Sequence, residues 1–513
     1  MATGDDDVNE GYGDWAIRGA FFRLNYTFKD RYIIEFNGRY DGTSRFPKES
    51  RFGFFPSASA AWRVDKEGFM NSLEHVISTL KIRGSYGSLG NQNVSNYGYI
   101  ASMEQTYGNG KDDEEWDKLI IDGELAGYVN SPGLVSDNYT WEKVSTINGG
   151  VDLGFFSNKL YMSFDIYQRN TMGMLIPGKD LPDVLGADEP KENSGDLQTN
   201  GWELALSYKQ NFYLLGKPFN FNTRFILSDS RAWITKFDNP NKDITQYYEG
   251  YEFGEMWGFE SDGFFKTVEE TQAQDQSRYA AWGVIPFSVG TVKWVDQDGN
   301  GIIEKGWTLD DPKDGKIIGN TSPRYRFGIN LNFEWNGIDL STFIQGIGKK
   351  DHYPTRRGFW GTYADAAFDS YEFLYDYYRP EDDTEEERAM HSQSYIDAGL
   401  ADANLDAEFP LMQAWNARGY TYENGTGLGI PQTDYLMSAA YVRLKNVTLG
   451  YTLPRAISRK IRIQSLRIFV SGENITEWSP VKFFMDPEEF TTIPNGNVYP
   501  FRRRYSLGVN VKF

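Results

Sequence analysis

Residues 296–301 read DQDGNG, a spacing that places the oxygen-bearing side chains of Asp296, Asp298 and Asn300 at the first, third and fifth positions of a loop. Gly301 follows where the chain must turn sharply, and Glu304 stands at the ninth position. Hard oxygen donors at this spacing bind Ca²⁺ in EF-hand loops. The twelfth position is Trp307 rather than a bidentate Glu, and no helical pattern flanks the loop, so an EF-hand is excluded. Two readings remain: a Ca²⁺ loop of another kind held by Asp296, Asp298, Asn300 and Glu304, or an Asx- and Gly-rich turn bonding its own backbone.

Other chemistry is sparse. The chain has no cysteine, which removes thiolate metal sites, cysteine nucleophiles and disulfides. Its three histidines, His75, His352 and His391, lack ligand spacing and read as surface or loop residues. No Ser-His-Asp order, phosphate loop or dinucleotide fingerprint occurs, and nothing in the sequence fixes a separation between two carboxylates, so no enzyme chemistry is read from these residues. Fifty-two Lys plus Arg against 72 Asp plus Glu give a formal charge of −20, which argues against nucleic acid as a partner. The acidic run PEDDTEEER at 380–388 reads as a solvated loop face. FWGTY and SYEFLYDYY, from Phe359 to Tyr378, put Phe359, Trp360, Tyr363, Tyr377 and Tyr378 in a long loop. There the rings either stack on sugars or dock a partner, or pack within the loop itself.

The elements carrying these loops are strands. RYIIEFNGRYD alternates Tyr32, Ile34, Phe36 and Tyr40 with Arg31, Glu35, Asn37, Arg39 and Asp41, and the same period of two recurs in LYMSFDIYQRN, RYRFGINLNFEW, LRIFVSGEN and the terminal YSLGVNVKF. Asn336-Gly337 is a two-residue hairpin signal. Short connections at Lys29-Asp30, Ser157-Asn158, Asn336-Gly337 and 454–464 alternate with long ones at 89–140, 171–195, 229–323, 349–437 and 475–500. Segregated loop lengths, strands apolar on one face and polar on the other, and 16% aromatic residues predict a large antiparallel transmembrane β-barrel with short periplasmic turns and long extracellular loops. A β-sandwich, solenoid or propeller with an aromatic core is the alternative. Parity predicts an odd count of about 13 to 15 strands, where closed bacterial barrels have an even one, so the barrel is expected to be partial.

Several segments resemble the SusC/RagA-type TonB-dependent outer-membrane transporters: YIIEFNGRYDGTSRFPKESRFGFFPSASAAWRV, LKIRGSYGSLGNQN, WEKVSTINGGVDLGFFSNKLYMSFDIYQRNT, NSGDLQTNGWELALSY, VKWVDQDGNGIIE followed by IGNTSPRYRFG, and YVRLKNVTLGYTLP. The resemblance spans nearly the whole chain. It implies a barrel of about 22 strands with a plug in its lumen. It also implies import of an oligosaccharide, or less readily a peptide, with energy relayed by the TonB complex and beneath a SusD-like surface lipoprotein. No signal peptide, TonB box or plug-like region is recognised, so residues 1–513 are expected to be the carboxy-terminal portion of such a barrel, with Met1 an artefact of truncation or gene calling. In the family reading Tyr505, Leu507, Val509, Val511 and Phe513 form the signal for the barrel-assembly machinery, and outer-membrane lipid meets the apolar faces. Competing readings are a soluble or surface glycan-binding β-protein and a passive porin or adhesin.

Overall fold

The computed structural model describes residues 13–103, 132–136, 138–178, 181–182, 189–279, 287–354, 372–381, 384–411, 430–460, 462–481, 486–489 and 501–513, with four short pieces between 105 and 129. Thirteen strands form one sheet in chain order. They are Ile17–Phe28 (β1), Tyr32–Thr43 (β2), Phe52–Arg63 (β3), Ile77–Asn91 (β4), Glu142–Phe155 (β5), Leu160–Pro177 (β6) and Lys191–Leu214 (β7). Lys217–Lys236 (β8), Arg324–Trp335 (β9), Ile338–Lys349 (β10), Tyr441–Thr452 (β11), Ser465–Trp478 (β12) and Arg504–Lys512 (β13) follow. The hairpins are antiparallel, as in β1–β2, β9–β10 and β12–β13. Among the described residues β1 pairs with β2 and β13 with β12, leaving each with one partner.

Tight turns close one end of the hairpins. Lys29 and Asp30 (φ 52° and 56°) and Asn336 and Gly337 (φ 49° and 87°) sit in the left-handed region that two-residue turns between twisted strands require. A Cβ on Gly337 would lie 2.6 Å from the Thr452 carbonyl oxygen, so that turn needs glycine for space as well as for φ. Leu215 and Gly216 form a further tight turn that the sequence reading did not mark.

The chain divides into two compact units. In the first, residues 1–204, 230–240 and 247–251, register puts Leu24 opposite Phe36, Tyr26 opposite Ile34 and Phe28 opposite Tyr32 on one face. That face stays uncovered: Leu24 is 61% and Tyr26 59% exposed. Apolar area so placed gains about 25 cal/mol per Å² only if something other than water covers it, and lipid does so. The opposite face is laced with ion pairs, among them Arg23–Glu35 (2.7 Å) and Arg39–Asp41 (3.0 Å). Phe46, Phe55, Tyr139 and Trp141 make a small buried cluster, with Val94, Tyr99 and Leu175 packed against it.

The second unit comprises 205–229, 241–246 and 252–513. Its sheet repeats the two faces, with Phe219 stacked on Phe333 at 6.1 Å on the apolar side and Arg467 paired with Asp339 on the polar side. The described parts of the long segments after β8 and after β10 are folded. Ser261–Phe264 pairs with Val292–Trp294, Glu255–Gly258 with Lys316–Asn320, and Asp351–His352 with Met437–Ser438. Their shared core is aromatic, with Phe259, Trp294, Tyr353, Tyr377, Phe409 and Tyr435 buried together.

Candidate functional site

The DQDGNG loop follows the strand Val292–Trp294 and is closed by its own side chains. Asp296 accepts from the Gly299 amide (2.7 Å) and the Gly301 amide (2.6 Å), and Asp298 accepts from the Asn300 amide (3.1 Å). Asn300 spends its side chain within the loop, accepting from the Ile302 amide and donating to Asp298. The Glu304 carboxylate receives a hydrogen bond from Arg278 at 3.0 Å. In its place the buried Asp314 joins Asp296 and Asp298, with one oxygen of each within 4.8 Å of the others. Asp314 is itself held by the amides of Gln297 and Glu304, each at 2.7 Å. Amide donation, that of Gly301 foremost, holds the Asp296 carboxyl below its usual range. Among the carboxylates of the described residues the grouping that could hold a hard cation is Asp296, Asp298 and Asp314, while Glu304 and Asn300 of the expected set bond Arg278 and the loop itself.

The ring-rich segment also needs correction. Tyr377 and Tyr378 are 8% and 4% exposed, so these two rings pack within the folded segment. The Tyr377 hydroxyl meets that of Tyr395 at 2.6 Å, and burial, then that hydrogen bond, push its pKa up to about 12. Phe359, Trp360 and Tyr363 lie outside the described residues, as do Asp382 and Asp383 of the acidic run. Exposed rings among the described residues of this unit include Phe253 and Trp307, the latter 60% exposed. His391 stacks on Tyr395 at 4.8 Å, and His352 sits in a two-residue strand.

Sequence reasoning missed the charges that organise the polar face. Arg83 on β4 donates to both oxygens of Asp165 on β6 at 2.5 Å and to Ser163 at 3.0 Å, across Gly150 on the strand between. Asp152 receives from Ser163 (2.8 Å) and closes on Arg83 at 3.3 Å. Arg443 on β11, a fully buried side chain, binds Asp486. The only advance signal was that each falls on the polar phase of its strand. Along β13, Tyr505, Leu507, Val509 and Val511 project from the apolar phase with exposures of 44% to 74%, and Phe513 beyond the strand is 92% exposed.

With this geometry in view, residues 3–475 match the family described as TonB dependent receptor-like, beta-barrel. TonB-dependent receptor P3 of Formosa agariphila is 26% identical over 96% of this chain and 45% of its own length. TonB-dependent receptor SusC of Bacteroides thetaiotaomicron is 24% identical over 96% and 43%. Among solved structures, that of the RagAB peptide transporter superposes with a TM-score of 0.69 at 22% identity, over 97% of this chain and 48% of that one. The RagAB importer in its closed-closed state gives a TM-score of 0.70 at 22% identity, over 98% and 48%. The chain therefore spans just under half the length of these relatives. A sheet with one face for lipid and one for water, matched in sequence across 3–475, makes this chain a member of the TonB-dependent receptor β-barrel family of the outer membrane.

Proposed function

We propose that this chain supplies barrel strands and outer segments of a TonB-dependent, SusC/RagA-type importer that brings a nutrient oligomer across the outer membrane. The observation that carries it is the thirteen-stranded antiparallel sheet with an apolar face bare of protein and an opposite face built of ion pairs, in a chain of this family. Ion pairs on the second face mark a water-filled or protein-filled lumen rather than lipid. The thirteen strands are part of a barrel that further strands complete, since an open sheet edge in hydrocarbon leaves backbone groups unpaired at a cost of several kcal/mol each.

A SusD-like surface lipoprotein, the TonB complex and the barrel-assembly machinery are the partners of this reading. The cargo is a glycan first and a peptide second. The exposed rings of Trp307 and Phe253 favour the glycan, because flat aromatic faces stack on sugar rings at little entropic cost. The likeness to RagAB, a peptide transporter, keeps the peptide in play. The test is growth of a strain lacking the gene on oligosaccharides and on peptides as sole nutrient, with and without an intact TonB system. Loss of growth on one class, reproduced by removing TonB, is the expected result. Unchanged growth on both classes together with wild-type surface binding of the cargo refutes the importer.

A further inference from the structure

Described pieces of the connection between β12 and β13, expected from sequence as an outer loop, are anchored in three places, beside the start of β11 and on the polar face that β11 and β12 share. At the first, Ser479 donates to the Ala440 carbonyl oxygen (2.8 Å), and Val481, 1% exposed, packs with Ala439 and Met437. At the second, Asp486 receives from Arg443 (2.5 Å) and Glu488 from Lys445 (2.8 Å). Nε of Arg443 also approaches Oε1 of Glu488 to 3.1 Å without hydrogen-bond geometry, and both atoms lack another hydrogen-bond partner. At the third, the Phe501 ring lies 5.0 Å from the Arg443 guanidinium and 4.9 Å from the Lys445 ammonium, and Asn474 donates to the Arg502 carbonyl oxygen.

The strand is deformed to make this possible. Against β10, Phe343 pairs with Asn446 and Ile344 with Leu444, so Lys445 is an extra residue in β11. The same place is irregular against β12, where Leu444 pairs with Thr476 and Asn446 with Glu473, and Asn474 takes φ 51°. A bulge re-aims side chains: Arg443 pairs with Gln345 and Asn446 with Phe343 on the polar phase, and Lys445 joins them there. Without the extra residue the two cations and Thr448 could not share a face.

We propose that Ser479–Val481, Asp486–Glu489 and Phe501–Arg503, fixed together at the β11 bulge, act as a strap against the polar face that narrows the path and sets the largest cargo that passes; this rests on the importer reading. Two desolvated cations held by two carboxylates and a ring are costly to place and costlier to leave unpaired, so the anchor fixes one position of the strap rather than a range.

The test uses the full-length transporter in intact cells, with Thr448→Cys placed on the polar phase of β11 nearer the short-turn end than the anchor. A small water-soluble maleimide and a polyethylene-glycol maleimide several times larger are applied from outside. Releasing the strap with Asp486→Asn and Glu488→Gln is expected to speed labelling by the large reagent at least about tenfold while leaving the small one nearly unchanged. Phe501→Ala, which keeps all four charges, should move the large reagent in the same direction by less, and heat-modifiable migration confirms that each variant is assembled. Large-reagent labelling equal in parent and both variants overturns the strap. Val447→Cys, on the opposite phase, must react with a lipid-dissolved maleimide; absence of that labelling overturns the membrane reading, and the strap with it.

Discussion

Replacing Gly150 by alanine isolates what the Arg83 bridge contributes. Register aligns Arg83, Gly150 and Asp165 across β4, β5 and β6, so the guanidinium must pass over Gly150 to reach its carboxylate. A Cβ there would lie 2.7 Å from Oδ1 of Asp165 and 2.8 Å from Cζ of Arg83, too close for all three to stay. The far ends of both side chains would give way, loosening two charge-assisted hydrogen bonds of about 1.5–3 kcal/mol each. Arg83 and Asp165 are 27% and 18% exposed at their side chains, so solvent screening reduces that loss. Alanine also restricts the unfolded chain, returning about 0.4–1 kcal/mol. The net expectation is a loss of about 1–2 kcal/mol. Gly149, one residue earlier and on the other face, supplies the control. Its Cβ would meet nothing nearer than Ile166 at 4.0 Å, so Gly149→Ala should be neutral or slightly stabilising. Urea unfolding of the full-length protein in lipid vesicles reads both, with an unchanged m value required for comparison. In an Arg83→Met background the cost of Gly150→Ala should vanish, a coupling of roughly 1 kcal/mol or more. Equal effects of the two alanines, or an unchanged effect in the Met background, refute the bridge.

Single cysteines in this cysteine-free chain should sort by strand phase: Phe36, Phe164, Leu331 and Val509 react with a lipid-dissolved reagent, and Arg39, Asp165, Asn330 and Asn510 with a water-soluble one. Reversed labelling refutes the barrel. Phe513→Ser should reduce assembly of the full-length protein more than Phe21→Ser, a substitution at a ring 80% exposed, measured as the folded fraction in outer-membrane extracts; equal assembly removes the signal role from the last strand. Ca²⁺ titrated into purified protein should protect the 296–304 backbone from hydrogen exchange, and Asp298→Ala and Asp314→Asn should each weaken that protection; no protection by Ca²⁺ leaves a self-bonded turn. Without metal the Asp296 contribution has a definite sign. Its folded pKa is lowered, so the stabilisation is present above the unfolded carboxylate value and is lost as pH falls below about 4. Greater protection of the Gly299 and Gly301 amides at pH 3 than at pH 6 contradicts it.

What the sequence showed well was whatever depends on near neighbours along the chain. Phase on β2 separates Phe36 from Arg39 because side chains alternate whatever the tertiary context, and Asn336-Gly337 announces its turn because both φ values are intrinsic to the pair. The missed turn at Leu215-Gly216 shows the limit of that signal, for leucine has no preference for the left-handed region and only the flanking register demands it there. Asp314 was invisible for a different reason. Its carboxylate reaches Asp296 and Asp298 only after the hairpin of Lys305–Thr308 and Asp311–Lys313 folds back, and no local spacing encodes that return.

The outer segments expose the deeper limit. A run such as SYEFLYDYY has the same composition whether its rings greet solvent or form a core, because the difference lies in what other segments bring to them. Here Phe409 and Tyr435 stack at 5.8 Å, and the Asn404 amide and Arg379 carbonyl bond across the chain to fix Tyr377 and Tyr378 inside. Their burial gives the described part of a long connection a packed core, and a ring fixed on a packed core has little freedom left to lose on binding. Trp307 is 60% exposed on the strand Lys305–Thr308, so under the importer proposed above its open face, and not the buried rings of Tyr377 and Tyr378, is the one left to meet a cargo.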